Sequence, residues 1–495
     1  MVDQLFGMWD IDGRAYDRPG ILHVDHERKT LLLKIDIFGE DVEAPDPYED
    51  ENRFYIRGKL TDGKCITLYR CRLCLRSASI NPYSPKRIFR YEVAATYAFM
   101  ALEVESENDL FFKSVFLDLG EIGEWAELSA VEQVGCDETQ GKFVWRWIEG
   151  RQVEVCFRDG LTVHFMPSIS TGLPYNKQSI VRIRQPVVVQ FYYQKPVPWE
   201  QIVDDIHFLL EMIEFQTRRH VGVARLQYSH YLLAPKPYRN PRCNYVGRKE
   251  EVLVGDGDTT CTEEIGWSDY VLKLREWGGL FVADGVKCQN KFSNLRAVLK
   301  LFLDSTLDRV SKGSSGAFCR LTQALETYHR FRCERDGISG ADCLADIVEI
   351  YKKDKILKRE KDETQFRHWL CRKTNLGKDE TPTYKMRFFE LVYPMREKVE
   401  NFPRGVSFLE YIEKLSESRN YYTHYDQRLR DKAYRADELA NANEVLAAIV
   451  RFYLLREMGV SSELAEKRMG MDATELVRLI HNEVEVGEQH WYSGY

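Results

Sequence analysis

The sequence predicts an α+β multidomain chain: a β-rich N-terminal part, sandwich or barrel-like, followed by an all-α helical bundle. Three observations carry this expectation. Short runs of β-branched and aromatic residues alternate with turn signals through the first part of the chain. The pattern changes to a helical period at Pro196. From about residue 292 onward, amphipathic helical segments joined by short links dominate. The expected layout is a β-rich domain over 1–195, a mixed α/β extension over 196–290 and a helical domain over 291–495.

In order, the predicted strands begin with GILHVD (20–25), TLLLKIDIFG (30–39), RFYIRGKL (53–60) and CITLYRC (65–71), with Asp62-Gly63 marking a turn. FVWRWIEG, RQVEVCFRDG and LTVHFMPSI follow between 143 and 169, then SIVRIRQPVVVQFYY up to Tyr193. Many short strands at close spacing suit a sandwich or barrel. WEQIVDDIHFLLEMIEFQT (199–217) reads as a helix with Ile202, Ile206, Leu209, Leu210 and Ile213 on one side. ARLQYSHYLLA (224–234) is strand-like, and PKPYRNPRCN (235–244) reads as a loop. The helical part opens with FSNLRAVLKLFLDSTL, then GAFCRLTQALETYHRFRC with Ser315 as its expected N-cap. ETQFRHWLCRK, TYKMRFFELVYPMREKVENF and VSFLEYIEKLSESRNYYTH follow, then a long helix at about 436–458 and a short one at 473–482.

Composition narrows the function. The 495 residues are 44% apolar, 30% charged and 12% aromatic, which fits a folded globular chain. No apolar run approaches the roughly 18 residues of a membrane span. The N-terminus MVDQLFGMWDIDG lacks a signal-peptide core, so a cytoplasmic location is expected. A net charge of −7 argues against a protein that coats nucleic acid with its whole surface, although it leaves room for a local basic groove. The P-loop, the H-E-x-x-H helix and the G-x-S-x-G elbow are all missing from the sequence. Twelve cysteines are scattered along the chain and read as reduced, buried apolar residues. Cys71 and Cys74 form an isolated C-x-x-C that a strand would split between two faces, with no second pair at zinc-ribbon spacing, so structural cysteines are a stronger reading there than a zinc site; no cofactor is assigned, and whether any cysteine binds metal stays open.

The chemistry concentrates in SFLEYIEKLSESRNYYTHYD (407–426). On a helical wheel with Phe408 at zero, Ile412, Leu415 and Tyr422 fall within about 40° and form a buried stripe. Arg419 falls at about 20°, inside that stripe, where a guanidinium needs a counter-charge or a ligand. Asn420 and His424 lie one turn apart on a neighbouring face, so the three can converge on one cavity. The plain alternative is a buried ion pair plus a surface histidine. Glu326, in QALETYHRF, either is solvated or turns inward to pair with Arg419. His329 shares that helix and is a weaker candidate. Between residues 351 and 378 ten Lys or Arg face four acids. Lys358, Arg359, Arg367, Arg372 and Lys373 there form either a solvated helix face or a surface that tracks phosphates. Tyr421, Tyr422 and Tyr425 can pack in the core, line an interface or stack on bases.

Arg419-Asn420-Tyr-Tyr-Thr-His424, late in a long helix of a helical domain, resembles the R-x4-6-H signature of HEPN domains. LTQALETYHRF resembles the Glu-bearing early helix of that family. The opening FGMWDIDGR and GILHVD, together with the overall layout, resemble the ApeA group of antiviral HEPN proteins. This resemblance implies a metal-independent endoribonuclease in which the ribose 2′-OH attacks the adjacent phosphate, with Arg419, Asn420, His424 and Glu326 as the site. It also implies RNA, with tRNA among the candidates, as the substrate, and a homodimer or higher even oligomer that brings two motifs together. An abortive-infection role with an unknown phage trigger, sensed or restrained by the N-terminal domain, follows from the same likeness. Two competing functions stand beside it: a non-catalytic HEPN scaffold or sensor that binds RNA or a protein partner, and a ligand-binding β domain carried on a helical oligomerisation module.

Overall fold

The computed structural model describes residues 2–10, 18–39, 55–80, 87–104, 110–119, 122–129, 131–137, 142–147, 152–168, 170–172, 182–184, 187–229, 249–254, 270–283, 295–307, 313–353, 360–371, 381–394 and 406–469. The chain divides into two compact units. The first comprises Met1–Leu210, His220–Trp267 and Lys273–Gly278, and the second Glu211–Arg219, Ser268–Leu272 and Gly279–Tyr495.

The first unit begins with β1 (Val2–Asp10), β2 (Arg18–Asp25), β3 (Thr30–Gly39), β4 (Tyr55–Leu60), β5 (Cys65–Ile80) and β6 (Arg87–Met100). These antiparallel strands close on themselves in the circuit β6–β3–β2–β1–β4–β5 and back to β6. The expectation of a sandwich or a barrel thus resolves to a six-stranded barrel for these residues. Closure pairs each of the six strands with a neighbour on both sides. Alternation puts Leu22 and Val24 of β2, Leu31, Leu33 and Ile35 of β3, and Tyr91, Val93 and Ala95 of β6 in the interior. Trp9 fills the same interior and is 0% exposed. Two glycines make room for its indole: a Cβ on Gly58 would lie 2.5 Å from the Trp9 ring and one on Gly20 2.9 Å from it. Cys71 points into the barrel and Cys74 out of it, as an extended strand requires.

The other strands are β7 (Phe111–Asp118), β8 (Val131–Asp137), β9 (Lys142–Trp147), β10 (Val153–Arg158), β11 (Leu161–Pro167), β12 (Ser170–Gly172), β13 (Arg182–Arg184), β14 (Val187–Pro198), β15 (Arg225–Ser229) and β16 (Lys249–Val254). β16 pairs with the end of β6 beyond β3, from Tyr97 to Phe99, and extends the sheet through β15, β7, β14 and β11 to β10. Two hairpins, β8–β9 and β12–β13, stand apart. The helices in and around this unit are α1 (Gly123–Ala126), α2 (Trp199–Thr217) and α3 (Leu274–Ala283). Trp199, at the start of α2, meets Tyr97, Phe99 and Phe112 edge-on, with centroids 4.8–5.5 Å apart.

The second unit holds the helices α4 (Arg296–Thr306), α5 (Ser315–Asp336), α6 (Gly340–Lys353), α7 (Glu360–Cys371), α8 (Tyr384–Val392), α9 (Val406–His424), α10 (Leu439–Glu457) and α11 (Ser462–Arg468). α5 packs against α4, α8, α9 and α10. Its N-cap is Ser314 rather than Ser315: the Ser314 hydroxyl accepts from Ala317 N at 3.1 Å. Gly337, at φ +68°, closes it in the left-handed conformation. Thr383 caps α8 and donates its hydroxyl to Leu370 O of α7 at 2.7 Å, tying the two helices together. The long helix expected at 436–458 runs Leu439–Glu457, and the short one expected at 473–482 lies outside the described residues. Among the described residues no helix is long and apolar enough to cross a membrane.

Candidate functional site

Phe408, Ile412 and Leu415 of α9 are fully buried, so the wheel places the core face of this helix correctly. That face turns Arg419 inward, its side chain 17% exposed. α5 presents Gln323, Glu326, Thr327 and Arg330 along one stripe at helical spacing. Between α5 and α9 lies a polar cavity of about 520 Å³, lined by those four residues, Cys319, Arg419, Tyr422 and Thr423.

Glu326 is the hub of the cavity. Its Oε1 accepts from Arg387 Nη1 of α8 at 2.6 Å and from Arg330 Nη2 at 3.2 Å. Its Oε2 faces Arg419 Nη2 at 3.7 Å. Three guanidinium groups thus share one carboxylate, leaving an excess of positive charge around the cavity. Arg419 also stacks on Tyr384 of α8, its Cζ 3.8 Å from the ring centroid. Burial, reinforced by the charge of Glu326, pushes the Tyr384 phenol above its ordinary range. The Cys319 thiol is also pushed up by burial, against the pull of Thr423 and Arg419, which does not favour it as a thiolate nucleophile.

The sequence-predicted residues fall into three groups. Arg419 and Glu326 meet, and Asn420 Oδ1 lies 3.4 Å from Arg419 Nη1. His424 is the last residue of α9 and is exposed, outside the cavity lining. The helix ends there because Tyr425 turns into the left-handed region at φ +52°, its N–H donating to Tyr421 O at 2.6 Å. Tyr422 belongs to both settings: its ring packs on Phe318 and its hydroxyl donates to Tyr434 O, yet it borders the cavity. Tyr425 is 67% exposed. Arg367 is held by Glu363 at 3.1 Å on its own helix, and Lys352 reaches the same carboxylate at 2.6 Å. Lys358, Arg359, Arg372 and Lys373 lie outside the described residues. His329 does not face the cavity; it is fully buried and directs Nε2 at Glu390, 2.6 Å away.

Sequence reasoning missed Arg387 and Tyr384. Their signal was present: Arg387 sits among Met386, Phe388 and Phe389, all fully buried, just as Arg419 sits in an apolar stripe. The pattern was hidden by the length of the segment, which read as one long helix although α8 covers nine residues of it.

Comparison with protein-family models gives two matches. The model described as ApeA N-terminal domain 1 matches residues 5–253, just over half of the chain, and the one described as Apea-like HEPN matches residues 320–464. The first covers the barrel and the sheet beyond it, and the second covers the whole arginine cluster and His424. No curated protein and no solved structure matches the chain.

Proposed function

Because the chain belongs to the ApeA family of HEPN proteins, a nuclease-type family of anti-phage defence, we propose that it is an endoribonuclease that cuts RNA by internal attack of the ribose 2′-OH. The observation that carries this reading is the pairing of an arginine cluster, fixed by Glu326, with an exposed histidine at the end of the same helix as Arg419. In the proposed step a bond forms from O2′ to phosphorus, and the bond from phosphorus to O5′ breaks. The 2′-OH proton passes to a base and a proton is delivered to O5′, leaving a 2′,3′-cyclic phosphate and a 5′-hydroxyl. Arg419 binds the phosphate oxygens as negative charge builds, a task that suits a planar, permanently charged donor. Histidine is the natural carrier for both protons near neutral pH, and His424 has solvent access for that work. Asn420 orients the pair. Glu326 is a positioning residue: it holds Arg387 and Arg419 in register without touching substrate. Glu326 is the one acid among the described residues of the cavity, and three arginines already engage it, so the lining offers no free carboxylate pair of the sort that binds magnesium.

A single Arg419–His424 pair supplies one proton carrier, whereas the reaction moves two protons. A homodimer that faces two copies of the α9 terminus would supply both histidines. The exposure of His424 and Tyr425 suits such an arrangement. The N-terminal unit is the part available to sense a phage or restrain the nuclease, a role that rests on the family's architecture rather than on particular side chains. The position of His424 outside the cavity favours one alternative, a HEPN module that binds RNA or protein without cutting it.

The test compares cells expressing wild type, His424→Ala and Arg419→Ala, before and after phage infection, for RNA integrity and phage yield. The nuclease reading expects RNA loss and protection with wild type alone, with all three proteins present at equal levels. Protection that survives His424→Ala would support the binding module instead.

A further inference from the structure

One cluster of chemically competent side chains plays no part in the proposed reaction. His329 and Cys333 of α5, Cys343 of α6 and Glu390 of α8 bring one nitrogen, two sulfurs and one carboxylate oxygen within 4.8 Å of one another. Cys333 Sγ lies 3.9 Å from His329 Nε2 and 4.0 Å from Cys343 Sγ, and the same Nε2 lies 2.6 Å from Glu390 Oε2. His329 and Cys343 are 0% exposed and Cys333 is 8% exposed.

We propose that these four residues form a structural zinc site that pins α5, α6 and α8 together. The donor set suits zinc: thiolate and imidazole ligands with one carboxylate, four in number, form a closed tetrahedral site without an open position for substrate. Zinc bonds of about 2.0–2.3 Å place neighbouring ligand atoms of a tetrahedron roughly 3.3–3.8 Å apart. The sulfur–sulfur and sulfur–nitrogen separations lie within a few tenths of an ångström of that range. The His329–Glu390 pair, drawn together by a hydrogen bond, opens by less than about 1 Å to admit the ion. Charge also balances. Two thiolates and a carboxylate leave one negative charge around a divalent cation, and Arg332, whose Nη2 donates to Glu390 Oε2 at 2.6 Å, matches it and orients the ligand. Sequence spacing concealed the site, because positions 329, 333, 343 and 390 follow no zinc-finger or ribbon pattern.

The site bears on the arginine cluster through geometry. His329 follows Glu326 by three residues on α5, and Glu390 follows Arg387 by three on α8. One seam between the two helices therefore carries the Glu326–Arg387 ion pair and, a turn further along, the zinc ligands. The inference stands whether or not the protein cuts RNA.

The experiment measures zinc in the full-length protein purified without chelator, by elemental analysis and native mass spectrometry. About one zinc per chain is expected, lost in Cys333→Ser/Cys343→Ser and retained in Cys371→Ser, a buried cysteine of α7 outside the cluster. Because the double variant can fail to fold, wild type is also stripped and refilled with cobalt(II), which should show thiolate-to-cobalt charge transfer and the visible bands of a tetrahedral ion. Folded wild type with neither zinc nor a cobalt–thiolate band overturns the proposal. So does zinc retained by the folded double variant, or a Cys333–Cys343 disulfide in the native protein.

Discussion

At the scale of single residues, Glu326 does more than any of its neighbours. Its side chain is 13% exposed and that of Arg387 is 10% exposed, so neither charge can turn to water for compensation. Glu326→Gln removes the charge that three guanidinium groups share. Breaking a buried ion pair from one side costs about 3 kcal/mol, which should appear as a lower denaturation midpoint in urea. RNA cleavage should fall with it, because Arg419 loses its partner. His424→Ala should behave in the opposite way. The residue is exposed and has no hydrogen-bond partner among the described residues, so cleavage should disappear while the thermal midpoint stays within a degree or two. A variant that lowers both would show that His424 also supports the fold. In the barrel, Gly58→Ala would drive a methyl into the Trp9 ring. The expected cost is about 1–3 kcal/mol of overpacking, read by chemical denaturation. An unchanged midpoint would mean that Trp9 has room to move.

At the scale of elements, α7, α8 and α9 meet around Glu413. Its carboxylate accepts from Trp369 Nε1 and from Lys385 Nζ, the latter at 2.9 Å, while Lys385 also lies 4.4 Å from the centre of the Trp369 ring. Burial alone would push Glu413 up, but the Trp369 and Lys385 hydrogen bonds and the Lys385 charge outweigh it and hold the carboxyl below its ordinary value of 4.5. A carboxyl lowered in the folded state stabilises it fully above the ordinary value, and that stabilisation fades as pH falls through the lowered one. Thermal midpoints of wild type should therefore drop on acidification below about pH 4.5, and Glu413→Gln should flatten part of that drop. An identical acid limb in both proteins would mean that Glu413 contributes nothing to the acid loss of stability. Most of the long helices were legible in order, because apolar period decides them, whereas α3, α6 and α11 were not anticipated. Ends were less so: Ser314 and Ser315 are equally good cap residues, and only the backbone conformation selects Ser314. The centre of the α9 core face was legible at Phe408, Ile412 and Leu415, although Tyr422 of the expected stripe is only half-buried, whereas Arg387 hid in a segment whose helix stops at Val392.

At the scale of the whole molecule, the β-rich first part and helical second part follow from local pattern, but barrel closure does not. Closure needs β6 to pair with distant β3 as well as with its sequence neighbour β5, and alternation alone allows a sandwich as readily. Gly20 and Gly58 are the local trace of the closure, since they leave space for Trp9. The candidate site divides in the same way. Arg419, Asn420 and His424 come from one helix and could be read as a motif, and Glu326 of α5 could be named as a partner of Arg419, while the roles of Tyr384 and Arg387 of α8 could not. The four proposed zinc ligands were invisible for the same reason, being drawn from three helices. Only tertiary packing brings such groups together.

In the proposed reaction the Arg419–His424 motif cuts RNA through the 2′-OH. The most direct measurement maps the chemistry of new RNA ends in phage-infected cells expressing wild type or His424→Ala. New 5′-hydroxyl and 2′,3′-cyclic phosphate ends are expected with wild type and none with the variant. Cuts of equal frequency in both, or wild-type cuts that carry 5′-phosphate and 3′-hydroxyl ends, would contradict it.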